Sequence, residues 1–201
     1  MKRSFQIDMP KVETFNRELV IKHATGVFHD KGYNAASMQD LVDATGLNRS
    51  SIYNSFGSKL DLFLLCLKSY QYGFHKKTTA VLLDADNAIN AIESLFYMYM
   101  DIMLKDNNDR GCLITNCVSE MANHDEKITS FLKQNQSSML DFMEALVKKG
   151  QLNNNINTNK TANEYALYLF SSLQGFRMTG ILVQNKKHLT SIIKTILQTL
   201  N

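Results

Sequence analysis

Proline is nearly missing from this chain. Pro10 is the only one in 201 residues, so nothing beyond it forbids long helices. Long apolar runs are missing too. The longest, Leu62 to Leu67, falls far short of the roughly 20 residues that a membrane span needs. The N-terminal stretch MKRSFQIDMPK carries basic residues but no apolar segment of the kind found in secretory signals. A cytoplasmic protein without membrane contact is expected. Cysteine is scarce and odd in number: Cys66, Cys112 and Cys117 read as reduced thiols, not as a disulfide framework. There is no useful period-2 alternation, no strand-turn-strand signal and no internal repeat. The histidines, His23, His29, His75, His124 and His188, show no ligand spacing with each other or with the cysteines, so no metal is expected. No Ser-His-Asp order, phosphate-binding glycine loop or paired carboxylate stands out, which argues against an enzyme and against a cofactor.

What is present is helical periodicity in a globular composition, 44% hydrophobic with a net charge of +3. Val20, Ile21, Ala24, Val27 and Phe28 form the stripe of a first helix over about Asn16 to Lys31, which Gly32 ends. Ser37 opens a short second helix with Asp40 three residues on, a variant capping box. Thr45-Gly46 stops it, Asn48 caps a third helix through Phe56, and Gly57-Ser58 breaks that one. Ser58 and Asp61 begin a fourth helix whose Leu62–Leu67 run is apolar all round, as in a helix covered on several sides. Longer helices follow: Asn87 to Lys105, a polar break at 106–110, Cys112 to Met121, a stripe from Ile128 closed by Lys148-Lys149-Gly150, Thr161 to Gln184, and a ninth helix marked by Leu189, Ile192 and Ile196. Asn153 to Asn157 reads as an exposed loop. The fold class is all-α with about nine helices. It divides into an N-terminal arm and three-helix unit over 1–57 and a C-terminal domain over 58–201.

Two short helices joined by a tight glycine turn are the helix-turn-helix pattern. Gly46 supplies the backbone conformation that the turn needs. Between Asp43 and Asp61 the only charges are Arg49 and Lys59. With Ile52 and Phe56 turned inward, Arg49, Ser50, Ser51, Tyr53 and Asn54 face out near the helix N-terminus, where a recognition helix reads base edges. Arg49 suits a guanine edge or a phosphate, and Asn54 an adenine edge or a phosphate. Tyr53 offers a ring and a hydroxyl. Asn48 is the cap, Lys59 a phosphate clamp, and Ser37 with its helix N-terminus a further phosphate site. Gln39 touches DNA or is merely exposed. Taken singly, Arg49 and Lys59 would read as solvated surface charges; in register with Gly46, Tyr53 and Phe56 they point to double-stranded DNA.

The segment FHDKGYNAASMQDLVDATGLNRSSIYNSFGSKLDLF resembles the DNA-binding region of the TetR family of bacterial regulators. The resemblance rests on Phe28, Gly32-Tyr33, Ser37, Leu41, Gly46, Asn48, Tyr53, Phe56, Ser58-Lys59 and Leu62-Phe63, and covers residues 16 to 65 closely. Gly57 stands where proline is common, and Ser50 where glycine is frequent. The resemblance implies a homodimer joined by the last two helices and an effector pocket inside each C-terminal domain. It implies a repressor released from a palindromic operator, with activation left open.

Residue patterns outside the helix-turn-helix bear on both implications. Small residues (Ser171, Ser172, Gly175, Gly180) among large apolar ones allow close helix approach. Gly175, Met178, Leu182, Ile192 and Ile196 are the expected dimer residues. Six of the ten methionines lie between 98 and 143, an adaptable apolar set. Phe96, Tyr99, Met100, Met103, Asn116, Cys117, Met121, Met139, Phe142 and Phe170 are the candidate pocket residues for an apolar or aromatic small molecule, against plain core packing for each. The segment from Arg110 to Cys117 resembles one found in a branch of the family. Its two cysteines raise redox or electrophile sensing as an alternative, against burial as small residues. Five residues apart on a helix is about 140° of rotation, which rules out their facing each other. A third possibility is a DNA-binding partner protein without small-molecule control.

Overall fold

A computed structural model describes residues 15–83, 85–105, 110–122 and 124–201. Residues 1–14 of the expected arm and 106–109 of the expected polar break lie outside the described residues. Among those described there are nine helices and no strand: α1 (Arg17–Ala35), α2 (Met38–Thr45), α3 (Arg49–Phe56), α4 (Lys59–Leu83), α5 (Ala88–Lys105), α6 (Leu113–Met121), α7 (Glu126–Leu152), α8 (Ala162–Leu182) and α9 (Lys186–Gln198).

Local chemistry fixes the ends of the first four. The Asn16 side chain accepts from the Leu19 amide at 3.0 Å. Gly32 leaves helical geometry at φ 75, ψ 173 and breaks the helix where expected; a separate turn follows through Ala35, and the range of α1 spans both pieces. Ser37 and Asp40 form a reciprocal capping box: the Asp40 amide donates to Ser37 Oγ at 3.1 Å and the Ser37 amide to Asp40 Oδ2 at 2.8 Å. Gly46 closes α2 at φ 70, a left-handed conformation that favours glycine. The Ser51 amide donates to Asn48 Oδ1 at 2.8 Å and starts α3. Ser58 and Asp61 repeat the box at the head of α4, with Asp61 N donating to Ser58 Oγ at 3.1 Å.

Two cores follow. The first gathers Ala24 and Phe28 of α1, Leu41 of α2, Ile52 and Phe56 of α3, and Leu62, Phe63, Cys66 and Leu67 of α4. The Phe28 and Phe63 rings meet at 4.8 Å between centroids. The same core takes Leu113, Cys117 and Met121 from α6 and Ile128, Phe131 and Leu132 from α7. The all-apolar run of α4 is thereby covered on both sides, and the three-helix unit is roofed by α6 and the start of α7. The second core packs α5, α7, α8 and α9 around Phe96, Met100, Leu169, Leu173, Phe176 and Ile193.

The end of α7 departs from expectation. Gly150 does not close it; the helix runs on to Leu152. Gly150 is there for space, since a Cβ on it would lie 2.6 Å from Ile156 Cδ1. The asparagine-rich segment is also more ordered than an exposed loop. Its Asn155 and Ile156 amides donate to the Gly150 carbonyl at 2.8 and 3.2 Å, and Ile156 is buried. The Tyr165 hydroxyl donates to Asn157 Oδ1 at 2.6 Å, while Asn157 Nδ2 donates to the Asn201 carbonyl at 2.9 Å. The end of the chain is thus tied to α8.

Candidate functional site

The outer face of α3 packs against none of the core residues. Ile52 and Phe56 are buried, and Arg49, Ser50, Tyr53 and Asn54 are exposed, Tyr53 by 43%. The side chains of those four make no hydrogen bond or ion pair with any described residue. Ser51 is half-buried, and Asn48 spends its side-chain oxygen on the helix cap, leaving its amide nitrogen outward. No acidic residue lies on α3. The α2 residues are more committed. Gln39 Nε2 donates to Asp43 Oδ1 at 2.7 Å. The Ser37 hydroxyl donates to Asp40 Oδ2 at 2.8 Å. Lys31 pairs with the other Asp40 oxygen at 2.6 Å, and first that bond, then the Ser37 contacts, pull the carboxyl down to about 2. The Ser37 hydroxyl, expected at a phosphate site, is engaged by the ionised Asp40 carboxylate, whose charge Lys31 balances.

Lys59 is held from behind. Its Nζ lies 4.5 Å from the centroid of the Tyr33 ring, a cation–π contact that aims a flexible amine. Tyr33 in turn sits on the turn that Gly32 creates. There the Tyr33 and Asn34 amides donate to the two carboxylate oxygens of Glu120 on α6, at 2.9 and 2.7 Å. Lys127 of α7 pairs with Asp61 at the head of α4 at 3.0 Å. The candidate surface on α3 and α4 is thus braced from α6 and α7. Glu120, Lys127 and the role of Tyr33 beneath Lys59 escape sequence reasoning, because the partners lie 26 to 87 positions away.

A cavity of about 240 Å³ opens between α4, α5, α6, α7 and α8. Tyr70, Phe74, Tyr99, Met139, Phe142, Phe170 and Leu173 give it apolar walls, and Gln71, Asn135, Gln174 and Arg177 add polar groups. Four candidate residues, Tyr99, Met139, Phe142 and Phe170, line it. Six do not. Phe96, Met100 and Met103 are turned into the C-terminal core, and Cys117 and Met121 into the N-terminal one. Asn116 braces the loop before α6, its Nδ2 donating to the Arg110 carbonyl at 2.8 Å. Helical periodicity finds the apolar faces but does not say which of two cores each one enters. The broader depression of about 850 Å³ beside the start of α7 is open and walled by His124, Asp125 and Lys133 among others, unsuited to enclosing an apolar molecule.

Arg177 was absent from the candidate residues. Its Nη2 donates to Cys112 Sγ at 2.6 Å, and its guanidinium carbon lies 4.4 Å above the Tyr99 ring. Burial works against the Arg177 charge, but Cys112, Tyr99 and Tyr70 around it carry its pKa above the ordinary value. Burial raises the Tyr99 phenol, with Arg177 opposing. A signal for it exists in the sequence: Arg177 is the only charge between Glu164 and Lys186.

Comparison with known proteins decides the family. Residues 20–66 match the profile of bacterial regulatory proteins of the tetR family, and residues 88–196 that of the tetracyclin repressor-like C-terminal domain. The chain belongs to the TetR family. It is 31% identical over 152 residues to YezE of Bacillus subtilis, an uncharacterized HTH-type transcriptional regulator, covering 72% of this chain and 77% of that protein. It is 24% identical over 172 residues to the HTH-type transcriptional repressor ComR of Escherichia coli, covering 85% of this chain and 81% of that one. Among solved structures, a cysteine mutant of the TetR-family regulator CifR, complexed with a 26-bp operator duplex, superposes with a TM-score of 0.84. The match has 20% identity and covers 95% of this chain and 100% of CifR. The family consists of DNA-binding transcriptional regulators and not of enzymes.

The TetR-family chain places the expected dimer residues unevenly. Met178 and Leu182 are 51% and 88% exposed, Gly175 is open, and Ile192 is half-buried. With Tyr168 and Ser171, the three α8 residues form an outward seam at alternating spacings of three and four. Ile196 is mostly buried in its own subunit. Gly180 faces inward, where a side chain would strike Met103. Burial pushes the Cys66 and Cys117 thiols up to about 12, which keeps both protonated and unreactive. No helix among the described residues is long and apolar enough to cross a membrane. None of these residues form a cluster that could hold a metal ion.

Proposed function

We propose that this TetR-family protein is a ligand-responsive repressor acting in the cytoplasm. In this reading two copies pair through α8 and α9 and set their α3 helices into adjacent major grooves of a palindromic operator. Residues 1–57 serve DNA binding, and residues 58–201 serve effector binding and dimerisation. Arg49, Ser50, Ser51, Tyr53 and Asn54 would meet bases and phosphates, with Asn48, Lys59, Gln39 and Ser37 at the flanks. The observation that carries the reading is the outer face of α3: a row of polar side chains with no partner among the described residues and no acidic residue among them. CifR, a fold relative, is complexed with operator DNA, and ComR is a repressor.

A small molecule in the cavity would touch α4 through Tyr70 and Phe74 and α8 through Phe170 and Arg177. α4 carries Lys59 at its other end. A ligand that prefers one setting of α4 biases the spacing of the two α3 helices, and it does so only by its unequal affinity for the two states. The seam of Tyr168, Ser171, Gly175, Met178 and Leu182 suits helix pairing between copies. A band-shift assay with DNA flanking the protein's own gene tests the reading. A discrete shifted band, weakened by Arg49→Ala and Tyr53→Ala, is expected. Binding indifferent to DNA sequence would overturn it.

A further inference from the structure

The effector cavity is lined by the guanidinium of Arg177, with His75 at its edge as the other ionisable base. Arg177 has five N–H donors. One goes to the Cys112 sulfur, and no carboxylate among the described residues pairs with the charge. Its Nε and Nη1 make no hydrogen bond with any described residue and are not fully buried, since no buried polar side-chain atom among the described residues lacks a partner. A cation in apolar surroundings without a counter-ion is costly, and it is ordinarily matched by an anion.

A second donor stands beside it. Gln174 is one turn earlier on α8, on the same face. Its Oε1 accepts from the Thr115 hydroxyl at 3.1 Å, which fixes the amide and leaves its NH₂ unengaged. Aromatic walls adjoin the guanidinium, which lies 4.4 Å from the Tyr99 ring centroid, and Phe74 and Tyr99 stack at 5.6 Å with an interplanar angle of 13°. At about 240 Å³ the space falls below the roughly 300–1,000 Å³ of sites for larger ligands.

We infer that the cavity binds a small organic monocarboxylate, its carboxylate on Arg177 and Gln174 and its single ring or short chain against Phe74, Tyr99, Phe142 and Phe170. A planar fork suits a carboxylate with two oxygens, and one guanidinium neutralises one charge. This deepens the effector reading and rests on it.

The test uses the full-length protein in chloride-free buffer. Benzoate, phenylacetate and hexanoate are compared with benzamide and benzyl alcohol by titration calorimetry and thermal unfolding. The carboxylates should raise the melting temperature and bind about ten-fold more tightly than the neutral compounds, the scale of a charge-assisted hydrogen bond. Arg177→Gln should erase that preference, while Arg177→Lys, which keeps the charge and controls for folding, should retain part of it. Cys112→Ser should still bind. Equal affinity for benzoate and benzamide, or silence from all three carboxylates, overturns the inference. So does binding seen only in Cys112→Ser, which would show that the Cys112 sulfur already satisfies the guanidinium. A parallel band-shift separates the two ideas. Carboxylate binding without release of DNA keeps the site and refutes the effector role. Release by the neutral compounds alone keeps the role and refutes the anion.

Discussion

Glu120 of α6 holds the turn after Gly32: its carboxylate accepts the Tyr33 amide at 2.9 Å and the Asn34 amide at 2.7 Å. Charge-assisted bonds of this kind contribute about 1.5–3 kcal/mol each when well shielded, and less when partly exposed as here. Glu120→Ala should lower the urea unfolding free energy by about 2 kcal/mol. It should also weaken effector-driven release of DNA, since α6 loses its grip on the turn that carries Tyr33. Unchanged stability would mean that the two amides are equally well served by water.

In the proposed reading Arg49 and Lys59 make separate phosphate contacts. Arg49→Ala and Lys59→Ala should each flatten the slope of log K against log salt by about one unit. Tyr33→Leu removes the ring beneath Lys59 and should weaken operator binding without changing that slope. Fluorescence anisotropy over a salt series checks all three.

Acid should loosen the head of α4. The Asp61 carboxyl, ordinarily at 3.8, is pulled down to about 2, first by the Ser58 hydroxyl and then by Lys127 and the Ser58 amide. A depressed folded-state pKa stabilises the fold above the unfolded value, and that contribution disappears as pH falls through the folded value. The window therefore runs from about pH 4 down to about pH 2. Asp61→Asn should flatten the dependence of the urea midpoint on pH there, and matching profiles for mutant and parent would contradict this. The effect is modest, because the pair is exposed and screened.

Gly150 is a packing glycine inside α7. Gly150→Ala gains helix propensity but drives a methyl against Ile156. The clash should win, with a net loss of about 1–3 kcal/mol by denaturant unfolding. Stabilisation would show that the segment after α7 yields freely.

The helix-turn-helix was legible because its signals are local. Ser37 with Asp40, Gly46, Asn48 and Ser58 with Asp61 each act within four residues; α1, α5, α7 and α9 showed apolar stripes, while α3 rested on its cap and α4 on a run apolar all round. The cavity was only half legible. Tyr99, Met139, Phe142 and Phe170 have the same composition as Phe96, Met100 and Met103. What separates lining from filling is the rotation of whole helices against each other, which periodicity does not encode. Gly150 misled because a glycine near two lysines looks like a helix stop, whereas its cause is Ile156 six residues on. Arg177 was the one overlooked residue with a sequence signal, a lone charge in an apolar helix.

The central claim is that two α3 helices face adjacent major grooves. Hydroxyl-radical footprinting of the full-length protein, on sites selected from random DNA, tests it most directly. The account predicts a palindromic site with symmetric protected segments one helical turn apart, about 10 base pairs centre to centre or a multiple of it. That protection should be lost in the Arg49→Ala, Tyr53→Ala double mutant. Selection of no common sequence, or a footprint that the double mutant leaves intact, would contradict it.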